Sequence, residues 1–175
     1  MMRCEDNVLL EQSRRIKQKA KTLLDKLELK RVLERYGEVE IIGSYALDVM
    51  WDRDIDIIVR CEESFESAKS ALVDLIASRL VQKYEFGDFE KFPREKRPKA
   101  HIVNLQTQFE GEKWEIEIWF FSIELFEEQK AKCKGLKERL KPFKLDILKQ
   151  KQERVHQGAT KHEKSSMEIY EDVMR

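Results

Sequence analysis

An α/β (α+β) domain, with a mixed sheet flanked by helices, is the fold class predicted by three features of the sequence. Short apolar strand-like segments alternate with helical ones between residues 38 and 121. Two alternating, β-rich segments, HIVNLQTQF and KWEIEIWFF, are joined through EGEK and read as a β-hairpin. Helical periodicity dominates both ends, residues 1–37 and 122–175.

Taken in order, residues 8–35 place Ile16, Ala20, Leu23, Leu24 and Leu27 on one helical stripe, with charged residues between them and Gly37 as the stop. EVEII, residues 38–42, reads as a short strand. Gly43 and Ser44 follow, then a short helical piece carrying Ala46, Leu47, Met50 and Trp51. DIDIIV is the next strand, from about residue 53 to 60. Ser64 is placed to cap a helix running from SFESAKS through LVQKY. The segment EFGDFEKFPREKRPK, with two prolines and dense charge, reads as an exposed loop. After the hairpin come SIELFEEQKAK, KLDILKQKQERV and SSMEIYEDVM, all helical in pattern.

The chain has 175 residues, which fits a single domain over 1–175. Its 34 basic and 34 acidic residues give zero net charge. No general attraction to nucleic acid or to a membrane surface follows, and no aromatic-basic stripe is present, so no long nucleic acid is expected as a partner. No apolar run approaches the roughly 20 residues that span a bilayer. MMRCEDNVLL carries acidic residues where a signal peptide has a basic and then an apolar run. Cys4, Cys61 and Cys133 have no metal or disulfide spacing and fit a reducing compartment. The expectation is a soluble, cytoplasmic protein.

Asp54 and Asp56 lie one residue apart inside an apolar run. On a strand, residues i and i+2 face the same way, so both carboxylates point to one side while Ile55, Ile57 and Val59 point to the other. Two carboxylates held this close repel unless a cation intervenes. A rigid oxygen-only pair suits Mg²⁺. In WEIEIWFF, Glu115, Glu117, Trp119 and Phe121 share one face, and Trp114, Ile116, Ile118 and Phe120 the other. If this strand lies beside DIDIIV, one glutamate completes a three-carboxylate set, which can serve a two-metal phosphoryl-transfer site. Gly43 lets backbone approach a phosphate closely, and Ser44 adds a hydroxyl donor at the start of the following helical piece.

Gly43-Ser44, the nine residues Tyr45–Arg53, then Asp54-Ile55-Asp56, together with Ile116-Glu117-Ile118 later in the chain, resemble the signature of the DNA polymerase β-like nucleotidyltransferases. The resemblance covers residues 38–121, with 1–37 as an added N-terminal helix and 122–175 as a C-terminal helical extension. It implies a metal-dependent transfer of a nucleoside monophosphate from a nucleoside triphosphate, ATP by expectation, to a hydroxyl of a small-molecule or protein acceptor. Asp54, Asp56 and Glu117 would hold Mg²⁺ or Mn²⁺, with Glu115 as the other choice for the third carboxylate. Glu117 would help deprotonate the acceptor, and Gly43 and Ser44 would hold the triphosphate. The third carboxylate is Glu where Asp is common, which displaces it by about one methylene. The alternative from a different class is a non-catalytic module of this fold, such as an antitoxin-like partner of another protein.

Other residues are weaker candidates. Arg53 and Arg60 flank the acidic strand as possible phosphate contacts. Lys91, Arg94, Lys96, Arg97 and Lys99 form a basic loop, and His101 heads the hairpin. His156 and His162 lack metal-ligand spacing. Trp119 shares the acidic face and is placed to stack a base or simply to pack.

Overall fold

The computed structural model describes residues 4–95, 97–159 and 163–175. Lys96 and His162 lie outside the described residues. Five strands, β1 (Glu38–Ile42), β2 (Asp54–Arg60), β3 (Val81–Asp88), β4 (His101–Phe109) and β5 (Glu112–Phe121), form one sheet in the order β1-β2-β5-β4-β3. β2 and β5 pair parallel, and all other pairs are antiparallel. The sheet is therefore mixed, as the sequence predicts. The β4–β5 turn is Glu110-Gly111, both at positive φ (51° and 77°), the two-residue geometry that matches strand twist.

Period-2 alternation divides the sheet into two unlike faces. On one face Ile55, Ile57, Val103, Leu105, Ile116 and Ile118 are at most 1% exposed. They pack against α1 (Cys4–Lys26), α2 (Leu29–Leu33) and α4 (Ser64–Ile76) through residues such as Leu23, Leu33 and Ala71. Each fully buried aliphatic side chain of this kind contributes about 1.5–3 kcal/mol. On the other face, Ile58, Trp119 and Phe121 are roofed by Phe126 of α5 (Ile123–Leu140). The start of β2 and the middle of β5 on that face carry acidic residues instead.

A second core joins the C-terminal helices to the domain. α6 (Lys144–His156) and α7 (Ser166–Val173) bury Ile147, Leu148, Ile169 and Tyr170 against Leu47, Val49 and Trp51, the segment that follows α3 (Gly43–Ala46). α7 starts with a capping box in which Ser165 accepts from the Glu168 N–H and the Glu168 carboxylate accepts from the Ser165 N–H.

Three local expectations are corrected. The single helix over 8–35 is two helices, broken at Glu28, whose φ is 47°. The turn piece after Ser44 is helical only through Ala46, so Leu47, Met50 and Trp51 follow it as an irregular, buried segment. The helix from Ser64 stops at Ile76, and VQKYEFGD forms β3. Ser64 is the first residue of α4 rather than its cap.

Candidate functional site

The carboxylates expected on one side of β2 and β5 do share a face and meet in register. Asp56 lies opposite Glu117, and Asp54 opposite Glu115, across the parallel β2–β5 pair. The row through Asp56 continues to Ile42 of β1 and Asn104 of β4. All four acidic residues are partly exposed. Among the described residues no group of three or more His, Cys, Asp or Glu side chains stands at metal-holding distances. Asp54, Asp56 and Glu117 share a face and adjoining rows without converging on one point. Glu117 Oε2 lies 3.9 Å from Arg97 Nη1.

Gly43 begins α3 with φ +65°, directly against the acidic strand. A Cβ built on it would stand 2.1 Å from Asp56 Oδ2 and 3.0 Å from Asp56 Cγ. The absence of a side chain is thus what lets the Asp56 carboxylate lie over the turn. Ser44 is buried beneath that turn, its carbonyl accepting from the Val49 N–H at 3.1 Å. α3 has four residues, so any anion held here would be held by this turn's own polar groups rather than by a long helix dipole.

The C-terminal helices bring cations to the same acidic strand. Lys151 is 0% exposed and donates to the Val49 carbonyl at 3.1 Å. Burial pushes its ammonium down to about 8, opposed by the negative charges of Asp52, Asp54 and Asp56. Arg154 of α6 donates through Nη2 to both carboxylate oxygens of Asp52 and through Nη1 to the Lys164 carbonyl at 3.0 Å. Tyr170 of α7 lies 5.5 Å under the Lys151 ammonium, and burial raises its hydroxyl strongly. The sequence reading did not single out Lys151, Arg154, Tyr170 or Asp52. The available signal was positional: Lys151 and Arg154 fall on the Ile147, Leu148 stripe of α6, where an apolar residue is ordinarily expected.

The weaker candidates divide cleanly. Arg53 ion-pairs with Glu112, and Arg60 with Glu38 at 3.2 Å and Glu127 at 3.6 Å, so both brace the sheet. Arg97 of the basic loop reaches the acidic face and also covers the Trp119 ring at 5.8 Å. Trp119 is 6% exposed and packs on Phe89 and Phe121, which makes it a wall rather than an open stacking platform. His101 does not approach the carboxylates. It is in register with Phe120 on the helix-covered face, with Ser64 Oγ 2.8 Å from Nδ1 and Asp88 Oδ1 3.2 Å from Nε2. His156, by contrast, borders a cavity of about 610 Å³ that is also lined by Trp51, Asp52, Asp54, Lys113 and Glu115. This volume lies within the range of small-ligand sites, and it opens on the Asp54–Glu115 row.

No protein-family model and no curated protein matches the chain. Among solved structures, it is similar to Cid1 poly(U) polymerase with Mg and 3'-dATP bound, at a TM-score of 0.55 and 21% identity. That match covers 77% of this chain and 40% of the Cid1 chain, so the chain spans about two-fifths of that neighbour's length. A GLD-2/RNP-8 complex (TM-score 0.49, 12% identity, 94% and 59% coverage) and a GTP pyrophosphokinase family protein from Streptococcus pneumoniae (0.46, 13%, 89% and 93%) are similar at lower scores.

Proposed function

The chain is a nucleotidyltransferase-fold domain, and from that premise we propose that it transfers a nucleoside monophosphate from a nucleoside triphosphate, ATP by expectation, to a hydroxyl of a small-molecule or protein acceptor. The observation that carries this reading is the Gly43–Asp56–Glu117 arrangement: a side-chain-free turn pressed against an acidic strand, with a third carboxylate in register on the next strand. Phosphate and divalent cation are the two chemistries such a juxtaposition serves together.

Asp54, Asp56 and Glu117 offer only oxygen donors on a strand-held frame, the donor type a hard cation takes; to hold one, the three side chains would turn toward a common point and Glu117 would leave Arg97, from which it now lies 3.9 Å. Asp54, Asp56 and Glu117 would hold Mg²⁺ or Mn²⁺. When bound, the cation supplies charge neutralisation at the α-phosphate and the leaving pyrophosphate. Gly43 and Ser44 bind and orient the triphosphate through the turn. Lys151, charged below about pH 8, sets a fixed positive charge behind Asp54 and Asp56. Glu117, on the longer glutamate arm, accepts the proton of the acceptor hydroxyl as its oxygen attacks the α-phosphate. The cavity at Trp51, Asp54 and His156 is the space in which the nucleotide or acceptor is received.

The test is a thermal-shift screen of the wild type and Asp54→Asn/Asp56→Asn against each nucleoside triphosphate, with and without Mg²⁺ or Mn²⁺, paired with an assay for pyrophosphate release. A ligand at 100 times its Kd stabilises the fold by about 2.7 kcal/mol. The expected result is a shift that needs metal and nucleotide together and is absent in the variant. A variant that binds Mg²⁺-nucleotide like the wild type would remove Asp54 and Asp56 from the site.

A further inference from the structure

A second cavity, of about 620 Å³, lies at the outer edge of β1 between α1 and α5, away from the Asp54–Glu115 cleft. β1 is an edge strand, so its outer side has no neighbouring strand to fill this space. The floor is apolar: Leu24, Leu29, Val39, Ile41 and Ile57, with the Tyr45 ring on one side. The rim carries Lys17, Lys21, Lys30, Lys130, Lys134 and Lys137 against only Asp25 and Glu40. In a chain with zero net charge, this concentration of cations is local and specific.

Most of the collar is fixed in place by acidic neighbours. Lys17 and Lys137 pair with Asp48, Lys130 with Glu38 at 2.6 Å, and Lys30 with Glu34 at 3.6 Å. Lys21 and Lys134 make no ion pair among the described residues and are exposed at the rim. Two ammonium groups outside any such ion pair, above an apolar floor, are complementary to a molecule that carries its negative charge at one end. We propose that this cavity is a binding site for a small amphiphilic anion, a phosphate or carboxylate head on an aliphatic or aromatic body. The body lies on Leu24, Ile41 and Ile57, and the head is held by Lys21 and Lys134.

The site is positioned to influence the acidic strand. Ile42, Tyr45 and Ala46 in its wall bracket Gly43 and Ser44. Cys133, also in the wall, hydrogen-bonds the Gly43 backbone, and burial raises its thiol. Occupancy therefore presses on the turn that supports the Asp56 carboxylate. The binding claim itself stands whether or not that turn holds a phosphate.

The probe is decyl phosphate below its critical micelle concentration, compared with decanol and inorganic phosphate. Binding is read by calorimetry, and its location by the rate at which iodoacetamide alkylates Cys133, followed by peptide mass spectrometry. Decyl phosphate is expected to bind and to slow Cys133 alkylation, while inorganic phosphate and decanol at the same concentration leave it near the free rate. Lys21→Glu/Lys134→Glu, at two exposed positions, is expected to keep the wild-type melting temperature and to weaken decyl phosphate binding by about ten-fold or more, as losing charge-assisted contacts does. Equal binding of decanol and decyl phosphate, binding without protection of Cys133, or an unaffected double variant would each overturn the proposal.

Discussion

A methyl group at residue 43 would enter the Asp56 carboxylate, at 2.1 Å from its Oδ2, on a backbone already at φ +65°. Two penalties therefore combine at this position, the left-handed strain of any L side chain and the displacement of Asp56. Gly111 separates them, because its φ is +77° and nothing lies within 4 Å of a Cβ there. Gly111→Ala carries the strain alone, about 1–2 kcal/mol. Gly43→Ala is expected to cost about 1–3 kcal/mol beyond that, the range for steric overpacking, and to abolish the metal-dependent nucleotide shift. Urea unfolding of the two variants in parallel checks this. Equal losses would mean that Asp56 moves aside freely and that the turn does not constrain the acidic strand. At the same scale, Glu117→Gln is expected to reduce pyrophosphate release more than Glu115→Gln, because Glu117 is the residue in register with Asp56. The reverse order would transfer the third carboxylate to Glu115.

Between elements, a bidentate, buried tie runs from α6 to the segment before β2. The Arg154 side chain is 1% exposed and grips Asp52, 102 residues earlier in the chain. Breaking such a pair from one side leaves a buried charge uncompensated, at a cost of about 3–5 kcal/mol. Asp52→Asn should lose that much stability, whereas Asp52→Asn/Arg154→Met should recover a large part of it. A double-mutant cycle by chemical denaturation measures the coupling, and strictly additive losses would show that the two side chains do not act as a pair. This tie also marks where sequence reading stops. The same-face placement of Asp54 with Asp56, and of Glu115 with Glu117, follows from the period of a strand and was legible. The β4–β5 hairpin was legible from alternation across a short turn. The parallel pairing of β2 with β5 rested on an assumption, since no local feature encodes which strands pair across some 60 residues. The segment of β3 reads in the sequence as the end of a helix and the start of a loop. It is an exposed edge strand, with Lys83, Tyr84 and Glu85 all in solvent, so it lacks the buried alternation that announces a strand. The break at Glu28 was hidden because a glutamate, not a glycine, adopts the left-handed turn. Lys151 and Arg154 look like ordinary charges on a charged helix until the fold sets them against Asp52 and Asp54.

Over the whole molecule, zero net charge conceals an ordered division, with acidic groups on one sheet face and lysines around the β1 edge, and α1 on the opposite face is tied in by ion pairs. Lys17 of α1 meets Asp48, which also receives Lys144 of α6, and Lys19 of α1 meets Glu112, which also receives Arg53. Burial pushes the Asp48 carboxyl up, but the hydrogen bonds from Lys17 and Lys144 outweigh it and hold it at about 2. At Glu112 the Arg53 hydrogen bond dominates, burial opposes it, Lys19 adds to it, and the carboxyl is held at about 2. Both folded values lie below the unfolded ones, so the unfolded chain binds more protons between about pH 4.5 and pH 2. The stability they provide is complete above that window and is lost as pH falls through it. Both groups are about a third exposed, and solvent screening reduces each contribution to about 1–2 kcal/mol. Asp48→Asn is a clean probe, because residue 48 has φ 59° and asparagine accepts that conformation. Asp48→Asn/Glu112→Gln is expected to be less stable than the wild type at pH 6 and to match it near pH 2, measured by urea unfolding at each pH. A deficit that persists undiminished at pH 2 would show that α1 is held by packing through Leu23 and Leu27 rather than by these two clamps.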